Sequence, residues 1–552
     1  MSRKSPRNSF LKTVQKAFSL SLESERRQMP IREMIDQERE RSYSRRKMLG
    51  DLGKAGIAVA SAGILDSCNK ASGWMGTRIE IPGAANGTNI ASQPTIAIVG
   101  AGMAGLNCAY QLSRSGYTST IYEASTRSGG RIYTKSNIVG NGIYGELGGE
   151  FIDSNHTDMI NLCKEFNLPL LDTESPTEAV LFRDDFFVDG VFYTESQIIQ
   201  AFHPYSDRII ADVRSLPNVI NYSQSNAAAL KFDQMSISSY FDSIGMSGWI
   251  RAGLEVAYLT EYGREVNEQT AINFLYLFNP NTNKGFQIFG VSDERYKIAG
   301  GSQMLTDALT RKLSKNIVFN YTLVQLDSLS NGQGYKLSFR DANNTVSQIQ
   351  ANIVVMTLPF SILRNVKINV PFPAVKTKCI QELGYGSNSK LFMGFTSRVW
   401  RNFNNSGYIF TNGAVQNGYD GSDLQPGTAG CYTILQGGKL GLELSKNTPE
   451  YWATKQFLPL LDSPGLWPGS SNAYIPNSAK RMLWPTNPYA LGSYACWTVG
   501  QTTSIVGAEI EPVGNIYFAG EHCAFDFQGY MNGSAQTGRL AATSVQSAIK
   551  SK

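Results

Sequence analysis

A short apolar run, Thr95 to Val99, reads as a buried strand and passes straight into Gly100-Ala101-Gly102-Met103-Ala104-Gly105. Leu106, Ala109, Tyr110 and Leu112 follow at helical spacing, and Gly116 stands where a helix C-cap glycine belongs. A second strand, Ser119 to Tyr122, ends on Glu123, 23 residues after Gly100. Each glycine has its own physical task. Gly100 makes the tight turn, Gly102 admits a pyrophosphate to the backbone, and Gly105 lets helix pack on strand. The helix N-terminus faces the phosphates, and Glu123 accepts hydrogen bonds from ribose hydroxyls. Glycine triplets alone are common in turns. Strand, glycines, helix, second strand and acid in register are far more specific. The body of the chain is therefore expected to begin with a Rossmann-like, dinucleotide-binding α/β unit.

Further glycine-rich stretches follow: Arg127-Ser128-Gly129-Gly130-Arg131, then Tyr144-Gly145-Glu146-Leu147-Gly148-Gly149-Glu150-Phe151. Gly492-Ser493-Tyr494-Ala495-Cys496-Trp497 lies near the far end. A strand there ends in Gly520-Glu521-His522, and Gly529-Tyr530-Met531-Asn532-Gly533-Ser534 opens a last helix. This succession resembles the flavin-containing amine oxidase family, which includes monoamine, polyamine and L-amino-acid oxidases. The resemblance spans residues 94–548 and implies FAD as cofactor. By that resemblance Arg131 neutralises the pyrophosphate, and Gly148 and Gly149 run beside the flavin. Glu521, after Gly520, touches the ribityl or pyrophosphate region, and Val324 holds the adenine. Met531 begins a helix whose N-terminus points at the flavin N1–C2=O edge and favours its anionic reduced form. Lys390, in Gly384 to Phe392, holds a water against flavin N5. Tyr494 and Tyr530 flank the amine. Taken alone, two buried tyrosines are more often packing, and a lone strand lysine more often faces solvent.

Two departures from the family pattern carry information. Animal-type monoamine oxidases attach FAD to a cysteine just before the first cage tyrosine, where this chain has Ser493. Non-covalent FAD is expected. Amino-acid oxidases of the family usually place a carboxylate-binding arginine shortly after the Leu-Gly-Gly run, where this chain has Glu150. An acid there repels a carboxylate and attracts an ammonium, so Glu150 is a candidate substrate selector. A structural salt bridge is the alternative role for it.

At 552 residues the chain exceeds one ordinary core. The expected fold class is α/β, a Rossmann-like FAD-binding domain interleaved with a substrate domain of mixed sheet and helices. The cofactor segments are 94–175, 290–372 and 480–552; the substrate segments are 176–289 and 373–479. Helices are expected over Trp249–Tyr262 and Val266–Leu277. The net charge of +5 belongs to the start of the chain. Residues 1–67 carry a net +6 and the rest a net −1, so nucleic acid is excluded as a partner. Seven scattered cysteines and three histidines form no metal motif.

Residues 1–67 read as a leader. Arg45-Arg46 precedes an apolar stretch, Ala55 to Leu65, and Leu65-Asp66-Ser67-Cys68 resembles a lipobox. This order predicts twin-arginine export to the periplasm, with a lipid anchor at Cys68 or cleavage near Ala58–Ala62. Residues 68–93 read as a flexible tether. The expected activity is oxidation of an amine C–N bond by hydride transfer to flavin N5. The imine then hydrolyses, and oxygen, giving hydrogen peroxide, or another acceptor takes the electrons. An L-amino-acid oxidase, an amine dehydrogenase serving a periplasmic carrier, and a non-catalytic flavin- or amine-binding lipoprotein are the alternatives.

Overall fold

The computed structural model describes residues 9–38, 93–140, 142–181, 185–277, 293–330 and 332–551. Five parallel strands form one sheet in the order Ile516–Phe518, Ile353–Met356, Ile96–Val99, Ser119–Tyr122, Ile317–Val318. Ile96–Val99 and Ile353–Met356 are buried at every position. That is why they read as unbroken apolar runs rather than as alternating ones. Against this sheet lie the helices Met103–Arg114 and Met531–Lys550. They touch closely because Gly538 has no side chain: a Cβ there would sit 2.3 Å from the carbonyl oxygen of Ala104. The Asn107 amide crosses the same seam to the Ala535 carbonyl at 2.6 Å.

A four-stranded sheet (Val346–Ala351, Tyr335–Arg340, Thr322–Ser328, Lys367–Asn369) accompanies the parallel one. A seven-stranded sheet builds the other half of the molecule. Its order is Lys480–Leu483, Ser389–Phe395, Gly430–Gln436, Asn417–Asp420, Ile409–Thr411, Asp185–Val188, Val191–Tyr193. Its centre packs on Trp400, Tyr432 and Trp467, all fully buried. The sequence boundary at 480 differs from this arrangement. Lys480–Leu483 pairs with the strand of Lys390, with Met482 opposite Lys390, and so belongs to the second sheet.

The helix expected over Trp249–Tyr262 spans Gly248–Tyr262 and stops at Gly263, whose φ of +72° a glycine adopts without strain. The one expected over Val266–Leu277 is shorter, Ala271–Leu275, capped by the Thr270 hydroxyl.

The first residues require a correction. Within the expected leader, Ser9–Arg27 is a helix sunk into the body. Phe10, Leu11, Val14, Ala17 and Phe18 are almost completely buried. The Phe10 ring stacks on Phe410 at 4.9 Å and approaches Gly253, where a Cβ would lie 2.6 Å from the ring. Lys12 and Lys16 look like leader charges in the sequence. Here they pair with Glu294 at 3.3 Å and Glu195 at 2.8 Å. The Arg-Arg pair, the apolar run, Cys68 and nearly all of the tether lie outside the described residues. Among the described residues no helix is long and apolar enough to cross a membrane.

Candidate active site

A cavity of about 760 Å³ runs from the fingerprint turn to the seven-stranded sheet. The fingerprint end is shaped by glycine. Gly100 takes φ +106°, and a Cβ on it would meet the Thr357 hydroxyl at 2.7 Å. Gly105 supports the turn from behind, since its Cβ would lie 2.0 Å from the Gly100 carbonyl oxygen. A Cβ on Gly102 would meet nothing within 4 Å, and Gly102 lines the cavity. The open side of the cradle is thus where a phosphate must approach, at the N-terminus of the Met103–Arg114 helix. Glu123 is held beside it: one carboxylate oxygen accepts the Ala101 amide at 2.7 Å, the other the Ser125 amide at 2.9 Å and hydroxyl at 2.7 Å.

Arg131 also lines the cavity. It donates to Glu521 at 2.9 Å and to the Ser493 carbonyl at 2.8 Å. Glu521 further accepts the amides of Ala495 at 3.2 Å and Gly529 at 2.8 Å. One carboxylate therefore ties the turn after Glu123 to both late loops. Gly520 holds φ +144°, and its amide donates to the Thr537 hydroxyl at 3.0 Å. Val324 is the unpaired residue of a β-bulge between Leu323 and Gln325, and Thr322 of the same strand lines the cavity.

The central wall is the Leu147–Glu150 run. A Cβ on Gly148 would lie 1.9 Å from the Arg131 carbonyl oxygen, and one on Gly149 would lie 2.7 Å from Met531. Met531 starts the last helix and also lines the cavity. Lys390, Tyr494 and Tyr530, from three separate parts of the chain, line the same cavity. The Tyr494 hydroxyl donates to the Thr260 carbonyl at 3.3 Å. The Tyr530 ring stands edge-on to His156 at 5.0 Å. Lys390 donates to the Gly148 carbonyl at 2.9 Å and to Glu150 at 3.0 Å. Ser493 is also in the lining and donates to Asn388 at 2.7 Å. None of the described lining residues is a cysteine.

Glu150 corrects a sequence expectation. Its charge does not face an incoming ammonium, because two lysines of the protein already take it. Lys297 lies 2.9 Å from one oxygen; Lys390 at 3.0 Å and the Tyr419 hydroxyl at 2.8 Å meet the other. Burial opposes its ionisation, yet Lys297, Lys390 and the Tyr419 hydrogen bond hold the carboxyl down to about 2. The salt-bridge alternative describes Glu150 better than the selector role. Four residues earlier, burial and the charge of Glu150 push Glu146 up to about 7.

Several lining or supporting residues escaped the sequence reading. Thr260 and Glu261 end an ordinary-looking helix, Trp484 donates to the Leu147 carbonyl at 2.9 Å, and Lys297 and Tyr419 sit in unremarkable strands. No motif marks any of them; only the spacing of far-separated strands brings them here.

The lining fits an extended dinucleotide with a flat ring: an open glycine cradle, an arginine, an acid at ribose distance along the fold, and a glycine run beside aromatic residues. A family profile described as flavin containing amine oxidoreductase matches residues 103–546. An L-amino-acid oxidase of Demansia vestigiata is 24% identical, over 84% of this chain and 89% of its own. The flavin-containing amine oxidase B of Bos taurus is 24% identical, over 83% and 87%. Among solved structures, cyclohexylamine oxidase from Brevibacterium oxydans IH-35A superposes with a TM-score of 0.70 at 18% identity, over 83% of this chain and all of the other. Putrescine oxidase bound to putrescine superposes at 0.67 and 17%, over 82% and 99%.

Proposed function

This chain belongs to the flavin containing amine oxidoreductase family, and we propose that it oxidises an amine lacking an α-carboxylate and passes the electrons to oxygen, releasing hydrogen peroxide. It is a FAD-dependent oxidoreductase acting on amines. FAD, when bound, supplies the two-electron chemistry at the amine's α-carbon. Gly100, Gly102, Glu123, Arg131 and Glu521 are the residues to hold its phosphates and ribose, and Gly148, Gly149 and Met531 its ring. With Ser493 in the lining and no described cysteine beside it, the holding is non-covalent.

The single observation that carries the reading is the meeting of Lys390, Tyr494 and Tyr530 with the Gly148–Gly149 run in one cavity. The two tyrosines bound the space for the substrate nitrogen, and the mostly apolar lining favours the uncharged amine by desolvation. The absence of a carboxylate follows from the arginines. Those among the described lining residues are Arg127 and Arg131. Arg131 is committed to Glu521, and Arg127 to backbone carbonyls of Ser128 and Ile132 at 2.9 and 3.1 Å.

Mixing the yellow holoenzyme anaerobically with amines and their parent amino acids tests this. Loss of flavin absorbance with amines alone, and its return in air with peroxide, is the expected result. Bleaching by the amino acids instead makes the protein an amino-acid oxidase. Bleaching that air does not reverse makes it a dehydrogenase.

Export remains part of the reading and rests on the Arg45-Arg46 pattern. Since the Ser9–Arg27 helix is packed in the body, it travels with the folded enzyme whatever happens to residues 44–68. Cell fractionation followed by mass spectrometry should find the protein in the periplasm with the Ser9–Arg27 peptide still bound to it; a protein confined to the cytoplasm ends the export reading.

A further inference from the structure

The buried charges behind the cleft form a chain rather than a pair. Lys390 Nζ meets one oxygen of Glu150 at 3.0 Å, and the Tyr419 hydroxyl donates to that same oxygen at 2.8 Å. The other oxygen faces Lys297 Nζ at 2.9 Å. Lys297 continues to Asp423 at 2.5 Å and to the Gly421 carbonyl at 3.1 Å. The side chains of Glu150 and Lys297 are each 2% exposed. The residues come from the wall run, the strands Tyr296–Ile298, Ser389–Phe395 and Asn417–Asp420, and the turn that follows Asp420.

Such a cluster is a poor stabiliser. Desolvating four charges costs about as much as their attraction returns, and apolar side chains of equal volume commonly do as well. What it supplies is geometry. Lys390 sits on a long flexible stem, and two bonds define where its ammonium rests: Gly148 O on the cofactor wall and Glu150. Glu150 cannot swing away to follow it, because Lys297 and Tyr419 hold it from two sides.

We propose that Glu150 is a positioning residue of the oxidation site, clamped by Lys297 and Tyr419 so that it keeps the Lys390 ammonium fixed against the Gly148 carbonyl. This rests on the reading that Lys390 stands beside the flavin. The site's second anion, Asp423, keeps Lys297 charged and prevents it from withdrawing Glu150. Lys390 is then the group that meets the cofactor or substrate, and Glu150 acts only through it.

The test is a double-mutant cycle on the midpoint potential of bound FAD, with Glu150→Gln, Lys390→Met and both. It needs no amine turnover, so failure of the proposed function is read separately, in the anaerobic mixing. Glu150→Gln alone shifts the potential by deleting a charge, so the cycle carries the argument. Lys390→Met is expected to lower the potential in the parent and to lower it by less than about half as much in the Glu150→Gln background. The fold loss in flavin reduction by an amine should follow the same pattern, about tenfold against about twofold. Equal effects of Lys390→Met in both backgrounds overturn the proposal and leave Glu150 a structural ion pair. Tyr419→Phe, which removes one hydroxyl, serves where Glu150→Gln does not fold. It should diminish the Lys390→Met effect in part, and an undiminished effect overturns the proposal equally.

Discussion

Glu146 and Glu150 are two buried carboxylates four residues apart with opposite fates. Glu150 has two lysines within reach and stays ionised. Among the described residues Glu146 accepts from the Ser302 amide at 2.6 Å and the Thr134 hydroxyl at 2.8 Å, and no lysine pairs with it. Burial, then Glu150, raises its carboxyl to about 7. A raised folded-state value means that the folded protein binds this proton more tightly than the unfolded chain. Its stabilising contribution is complete below the ordinary carboxylate range and is lost as pH rises through about 7. Glu146→Gln stays neutral at every pH. It is expected to stabilise the protein above pH 7 by roughly 2 kcal/mol and to flatten the stability profile below it, as read by urea denaturation across pH. Gly102 makes a second residue-scale prediction. Its missing side chain faces open cavity, so Gly102→Val should leave the apoprotein's melting temperature within a few degrees (roughly the effect of a surface change) and abolish FAD retention, seen as a colourless purified protein.

At the scale of the element, the Ser9–Arg27 helix is the piece whose role changed most between sequence and structure. It lies against the helices Glu195–Phe202, Ser206–Ser215 and Gly248–Tyr262. Its Ser21 hydroxyl joins His203 at 2.7 Å and Ser206 at 3.0 Å. Its Lys12 reaches Glu294, a lining residue of the cavity. The helix is thus continuous with the wall of the active site. Phe10→Ala removes a fully buried ring and is expected to cost about 3–5 kcal/mol in urea denaturation. A chain started at residue 93 leaves the apolar seat of this helix open to water and should be recovered mainly as aggregate. If it folds with the parent's melting temperature, the helix is dispensable.

At the scale of the molecule, the cavity is where two sheets face each other, and each contributes what the other lacks. The parallel sheet brings the glycine cradle, the small Thr134–Lys135 and Gly145–Glu146 ribbon leads into the wall run, and the seven-stranded sheet brings Lys390 and Tyr419. Glu521 and Glu150 each join distant segments at this cavity. Glu521 binds residues 131, 495 and 529 into one support, at a place where a dinucleotide's own charges are to be held. Adding FAD to the apoprotein should therefore raise its melting temperature in proportion to the logarithm of free FAD. Glu521→Gln should reduce that gain more than it reduces the melting temperature without FAD.

The fingerprint, its strands and helices, the wall glycines and the last helix were legible in the residues themselves. Their requirements are local: a glycine where a carbonyl lies 2 Å from a would-be Cβ, an apolar run where a strand is covered on both faces, a helical period where one face is buried. The tertiary structure alone decided three things. The first helix belongs to the core, because its charged residues find partners 179 and 282 positions away. Val324 falls at a bulge of the strand that brings Thr322 to the cavity, an irregularity no local signal marks. Glu150 holds a lysine rather than selecting a substrate, because strands 147, 240 and 269 residues distant place Lys297, Lys390 and Tyr419 around it. A charge in a sequence carries no mark of its partner, and its meaning is settled only by which opposite charge the fold brings within 3 Å or so of it.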